Sequence, residues 1–356
     1  MNTHMLRHVL GLGAVVIAMG TAPVTAELAE KRLEVIVGNH TDAFTRDHQL
    51  PFYNETLPQA SGGAITARAV PYTELGLTGF EIMNLLRLGT NDISWGVVGY
   101  ISGDSPLAEG LDLPGLTSDP KVAYQLVDVY SPIIAAELED KFNAKLLSIT
   151  LYPQLQAFCK LSEAEMQDFT LETLRGKNIR VHAKAFSDLV ESFGGVPVTM
   201  GFGDVIPALE RGVLDCAITS SYVAYGFNMG QVANAILDLP AFANFFTAAN
   251  LDVWNDLDDE TQSFLTTQFA ALDASLREET ENSTIVGGNC LRDGPCPLGE
   301  PSGMKLLNLS VAETETLRSG IRETVLTRWV ERCGKGCAAQ WDATIGEILG
   351  VSLDGK

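Results

Sequence analysis

The sequence predicts an α/β protein of two lobes, each a sheet flanked by helices, with one long helix lying across both. Three observations predict it. Short apolar runs alternate with amphipathic stretches, and the alternation runs its course once and restarts near Leu155. About 330 residues follow a leader-like segment, more than one hydrophobic core usually organises. Residues 258–281 contain neither Gly nor Pro, and a helix there would reach about 36 Å at 1.5 Å per residue.

The chain opens with Arg7 and His8, an apolar run over 9–19, and the small residues Val24, Thr25 and Ala26. That order is the pattern of a secretory signal, and cleavage after Ala26 is expected. No Cys lies near the cleavage point to carry a lipid. The first expected unit then has strands at 33–38 (LEVIVG), 64–70 (AITARAV) and 92–98 (DISWGVV), with helical segments over 42–57 and 78–88. Pro51 must start or break the first of those helices. A β-α-β-α-β order implies a parallel sheet covered on both faces. A Gly/Pro-bearing loop over 103–120, a long amphipathic helix over 121–142 and a strand over 146–152 complete this unit.

The second unit restarts with strands at 155–159, 178–182 and 197–200, a helix over 186–193 stopped by Gly194 and Gly195, a helix over 204–211, and a strand at LDCAI. Residues 235–239 read as a return crossing, and 244–252 as a further strand for the first unit. The expected division is 1–26 signal peptide, 27–152 plus 238–262 first lobe, and 153–237 plus 263–356 second lobe with the long helix and a Cys-bearing tail.

The formal charge is −21, and −22 once Arg7 is removed. An acidic surface of this size argues against nucleic acid as a partner and does not steer an anion inward. Any acid-binding site must rely on local donors. All six cysteines, Cys159, Cys216, Cys290, Cys296, Cys333 and Cys337, lie in the exported part, and an even count there favours disulfides. The close pairs Cys290/Cys296 and Cys333/Cys337 suggest small staples, leaving Cys159 with Cys216. In the chain-entropy picture that bridge is worth roughly 4 kcal/mol. A metal site is the weaker reading, because His40, His48 and His182 lie at no zinc-ligand spacing from a Cys.

No strong catalytic motif is present: no G-x-S-x-G, P-loop, H-E-x-x-H or C-x-x-C. No cofactor and no metal are therefore expected. Arg180 stands out, because it interrupts the apolar strand NIRV with a planar fork of donors suited to a carboxylate. Ligand binding and a structural ion pair with Glu172 or Asp204 both account for it. Trp95 in DISWGVV is either core or a cleft wall. Thr219 and Ser220 end a strand where hydroxyls suit an anion or simply cap a helix. Phe202 either lines a cleft or staples the following helix. His40, after the first strand, is a ligand contact or a surface residue, and His182 reads as an ordinary strand residue.

The segments LRGKNIRV, GGVPVTMGFGDVIPALERGVLDCAITS, LGLTGFEIMNLLRLGTNDISW and NLDVWNDLDDETQSFL resemble the solute-binding proteins of TRAP (tripartite ATP-independent periplasmic) transporters. The resemblance implies a two-lobed periplasmic binding protein of class II-like fold that closes over an organic acid. It implies delivery of the ligand to membrane permease subunits, a monomer, and no turnover. Arg180 matches the arginine that pairs with the ligand carboxylate. Thr219 falls at a polar contact, Phe202 at a cleft aromatic, and Trp95 and Glu74 at first-lobe positions that face the cleft. Many dicarboxylate- and sialic-acid-binding members carry a second arginine on the strand that here reads YPQLQAFCK. Its absence, with Gln154 or Gln156 as a neutral substitute, implies a monocarboxylate. The cysteine pattern resembles a disulfide-bearing subgroup. An exported enzyme or a sensory module on the same scaffold is the alternative.

Overall fold

The computed structural model describes residues 28–353, so the expected signal peptide lies outside the described residues. Eleven strands form two sheets among these residues. The first sheet contains β1 (Lys31–Val37), β2 (Ile65–Pro71), β3 (Ile93–Val97) and β4 (Ala144–Leu151). The second contains β5 (Leu155–Cys159), β6 (Asn178–Val181), β7 (Val196–Thr199), β8 (Cys216–Ser220) and β9 (Ala235–Asp238). β10 (Asn244–Asn250) returns to the first sheet, and β11 (Lys305–Leu307) edges the second. The orders are β2-β1-β3-β10-β4 and β11-β9-β5-β8-β6-β7.

Each sheet is mixed rather than purely parallel. β10 enters between β3 and β4 and runs antiparallel to both, while β5 runs antiparallel to β8 and β9. The cause is the connectivity: each strand that crosses between lobes arrives from the opposite end of the sheet. The two crossings lie side by side. Tyr152 donates its backbone N–H to Ala243 at 2.9 Å, and Leu155 donates to Ala241 at 2.9 Å. These two paired segments are extended connections between the lobes.

The third connection is the helix Asp259–Leu291, 33 residues and about 50 Å long. It runs past the 281 expected from sequence, through Gly287 and Gly288. Its first half, with Leu265, Phe269 and Leu276, packs into the first lobe with Val35, Phe52 and Phe44. The sequence division had assigned that half to the second lobe. Leu291 joins the second-lobe core beside Phe158 and Leu209. Gly287 explains the continuation: a Cβ there would lie 2.6 Å from the Tyr222 backbone N, so a residue without a side chain lets the helix touch the second lobe.

The C-terminal tail also departs from the expected division. The helix Leu326–Cys333 packs against the second-lobe helix Lys184–Ser192, yet Trp329 and Trp341 donate their indole N–H groups to Pro106 and Gly110 of the first lobe, at 2.8 and 3.0 Å. Arg332 reaches Asp188 of one lobe and Glu109 of the other. Pro51 sits between two π-helical turns, Thr45–Gln49 and Phe52–Thr56, where the wider winding accommodates its missing N–H.

Cys159 and Cys216 face each other across the β5/β8 ladder and are bonded, as are Cys290 with Cys296 and Cys333 with Cys337. No described cysteine is free.

Substituting Gly287→Ala should overpack the helix against Tyr222 and lower stability by about 1–3 kcal/mol. Urea unfolding of the ligand-free protein measures this, and an unchanged midpoint would show that the contact yields without cost.

Candidate functional site

Arg180 sits in β6 between Val198 of β7 and Ala217 of β8, and by strand alternation shares a face with Ala217 and Thr219. The residue is 2 % exposed. Its Nε donates to the Met200 carbonyl at 2.9 Å and its Nη1 to the Ile218 carbonyl at 2.8 Å. Its Nη2 lies 3.4 Å from the Tyr100 hydroxyl of the first lobe. Phe202 covers the guanidinium, whose carbon lies 5.5 Å from the ring centroid. Among the described residues no carboxylate lies within 4.0 Å of Arg180. Glu172, one proposed structural partner, pairs with Arg175, and Asp204 forms no ion pair with Arg180. Burial lowers the Arg180 pKa, with Tyr100 and Tyr72 opposing that shift, but an arginine remains charged.

A cavity opens beside this cation, between the lobes. Its volume is about 60 Å³, room for a few waters or a small organic molecule. Trp95, Phe202, Thr219 and Ser220 line it together with Arg180. Trp95 is both core and wall. It is 4 % exposed, stacks on Tyr72 at 5.5 Å with 10° between planes, and keeps a buried Nε1 with no partner in the protein. Ser220 precedes the helix Ser221–Gly226 but makes no capping bond, and its hydroxyl is likewise unpartnered. A plain N-cap role does not describe it.

Four sequence candidates fall outside. His40 is exposed, with Nδ1 3.2 Å from the Thr73 hydroxyl, and Glu74 is exposed on the turn that follows β2. Gln156 donates to Asp238 at 2.5 Å and Gln154 to the Leu239 carbonyl at 2.9 Å, so neither substitutes for a second arginine in the cavity. The local cause at His40 is an Asx turn. Asn39 accepts from Thr41 N–H, directing Asn39 and Asp42 toward the cavity while His40 faces solvent.

The structure adds residues that sequence reasoning passed over. His182, read as an ordinary strand residue, lines the cavity. Burial and the Arg180 charge depress its pKa to about 3, so it is neutral at physiological pH. Its Nε2 is 3.9 Å from the buried Asp112 Oδ2. Tyr100 bridges the lobes, accepting from Phe202 N–H at 3.2 Å. Asp42 is 4 % exposed, with one oxygen bonded to Phe44 N–H at 3.2 Å and the other to the Tyr152 hydroxyl at 2.9 Å. Burial raises its pKa from 3.8 to about 6. Asp42 lies two residues beyond His40, so attention to the whole loop after β1, rather than to its histidine, was the available signal.

A profile for bacterial extracellular solute-binding protein family 7 matches residues 39–285. The chain belongs to this family. The family assignment agrees with the TRAP resemblance in the sequence. The Salmonella typhimurium protein called uncharacterized protein YiiZ is 25% identical over 188 residues, 52% of this chain and 55% of the relative. The chain thus spans about half the length of the curated relative it matches.

Among solved structures, DctP7 of Bordetella pertussis, a receptor binding pyroglutamic acid, is 19% identical with a TM-score of 0.76, covering 89% of this chain and 99% of its own. A marine metagenome TRAP protein in complex with 3-hydroxybenzoate is 18% identical, TM-score 0.77, covering 90% and 98%. DctPAm of Advenella mimigardefordensis, with galactonate, is 16% identical, TM-score 0.79, covering 90% and 99%. These likenesses establish the two-lobed fold. No helix among the described residues is long and apolar enough to cross a membrane.

The Asp42 shift sets a pH test. Its folded pKa lies above its ordinary value, so the folded chain binds this proton more tightly than the unfolded one. Its stabilising contribution is full below about pH 4 and is lost as pH rises through about 6. Around it stand Tyr152, Tyr72, Tyr222, Arg46 and Asp47, and Arg46 is engaged by Asp47. Asp42→Asn removes the buried charge, and Tyr152 can rotate to accept from the new amide. Ligand-free Asp42→Asn should therefore exceed the parent by about 2–3 kcal/mol at pH 8 and match it near pH 4. Thermal melts at both pH values measure this, and the opposite ordering would contradict it.

Proposed function

We propose that this protein is the periplasmic receptor of a TRAP transporter, capturing a small monocarboxylic acid between its lobes and presenting it to the membrane permease subunits. One observation carries the reading: the Arg180 guanidinium is buried at an interlobe cavity with no acidic partner among the described residues. Burying an unpaired charge costs several kcal/mol, and a ligand carboxylate offsets that cost with charge-assisted hydrogen bonds. The unpartnered Trp95 Nε1 and Ser220 hydroxyl add neutral donors to the same wall.

The absence of a second cation among the described residues that line the cavity favours one acid group. His182 is neutral, and the two glutamines of the β5 segment are turned to other partners. The cavity volume favours a compact ligand. The ligands named for the similar structures, pyroglutamic acid, 3-hydroxybenzoate and galactonate, are all carboxylic acids with a single acid group. The family assignment supports binding rather than turnover. A monomer that closes about the double-strand hinge completes the proposal. Ligand binding favours the closed form because the carboxylate contacts Arg180 while Tyr100 closes over it from the first lobe.

Arg180→Ala should lower affinity for the bound acid by about 100-fold or more, and Arg180→Lys should recover only part, since a point charge cannot reproduce the planar fork. Ligand-free Arg180→Ala should stay folded, because the loss of the bonds to the Met200 and Ile218 carbonyls is offset by removal of an uncompensated buried charge. A thermal-shift screen of carboxylic acids followed by calorimetry provides the measurement. Unchanged affinity in Arg180→Ala would overturn the assignment.

A further inference from the structure

The same cavity has a second pole. Asp42 enters it from the first lobe, opposite in charge to Arg180 from the second. The two do not bond to each other, Arg180 being engaged by Met200, Ile218 and Tyr100 and Asp42 by Phe44 and Tyr152. Asp42 has no cation of its own either, because Arg46, the nearest in sequence, is engaged by Asp47 at 2.6 Å. Its carboxylate is fixed by one bond to Phe44 N–H and one from the Tyr152 hydroxyl, while a carboxylate has about four acceptor positions. Acceptor capacity therefore remains on a group that is 4 % exposed. Tyr72, stacked on Trp95 and bonded to Asn39, senses both charges.

From this arrangement we infer that the ligand is a bifunctional acid: its carboxylate meets Arg180, and a hydroxyl, N–H or ammonium group elsewhere on the molecule donates to Asp42. The inference rests on the carboxylate reading above and deepens it. Asp42 becomes the residue that sets specificity. An acid without a donor satisfies one pole and leaves a buried carboxylate facing apolar ligand surface, with like-charge repulsion added. An acid with a donor satisfies both. Discrimination of this type is strong because a buried polar group rejects a ligand that leaves it unpaired. Asp42 also reaches the hinge through Tyr152, so donor engagement and lobe closure act on one residue.

The test uses matched acids and the exported chain without its signal: butyrate, 4-hydroxybutyrate and 4-aminobutyrate, together with cyclopentanecarboxylate and 3-hydroxycyclopentanecarboxylate. Calorimetry at pH 7.5 should show the donor-bearing members binding about 10- to 100-fold tighter than their donor-free counterparts. In Asp42→Asn the advantage should shrink to within about threefold for the ammonium ligand, whose gain depends on the negative charge. Equal affinity within each matched set on the parent protein, which requires no variant, would overturn the role of Asp42 while leaving the carboxylate reading intact. Failure of every acid to bind would overturn both. A preference for 4-aminobutyrate over butyrate unchanged by Asp42→Asn, with circular dichroism showing an intact fold, would overturn the assignment of Asp42.

Discussion

A guanidinium withdrawn from water, with two backbone carbonyls, a phenol and an aromatic face as its company, is the constraint to which the site answers. Arg180 makes good hydrogen bonds through Nε and Nη1, so its position is fixed. Those acceptors are neutral, and its charge has no counter-ion among the described residues. A structural ion pair would have supplied one. Leaving the charge unpaired costs stability, and on the proposed function the partner that offsets that cost is the carboxylate of the ligand.

The fold divides that arrangement between two lobes. Arg180 belongs to the second sheet, and Tyr100, Trp95 and Asp42 to the first lobe, so the site exists only when the lobes meet. Close approach is built into the backbone: a Cβ on Gly201 would lie 2.1 Å from the Thr78 carbonyl across the cleft. Two adjacent extended segments and one long helix connect the lobes, and the C-terminal tail adds Arg332, which contacts both Glu109 and Asp188. The extended crossings are thin, and both polar and apolar contacts join the lobes beside them, Tyr222 packing on Phe44 and the C-terminal tryptophans between the two. Such a balance suits a clamp in which a ligand supplies the deciding interaction.

Much of this was legible in the sequence because strands and their order are recorded locally. The apolar runs over 155–159 and 178–182, and the Gly/Pro-free stretch before Glu281, correspond to β5, β6 and the long helix. Arg180 was legible for the same reason, since a charge within NIRV breaks the pattern of its own strand. Direction was not. Whether a strand runs parallel or antiparallel depends on where the chain re-enters the sheet, and β10 between β3 and β4 is decided by the crossings. Side-chain facing was the other loss: in the loop after β1 an Asx turn sends Asp42 inward and His40 outward, and composition alone does not distinguish them. Gln156 was misplaced because its pairing with Asp238 depends on β9, more than eighty residues away in sequence.

The most direct test of the central claim is a crystal structure of the protein with its bound acid. The account predicts carboxylate oxygens about 2.7–2.9 Å from the Arg180 guanidinium nitrogens, inside the cavity between Trp95 and Phe202. An acid bound with its carboxylate turned away from Arg180, or held on another surface of the protein, would contradict it.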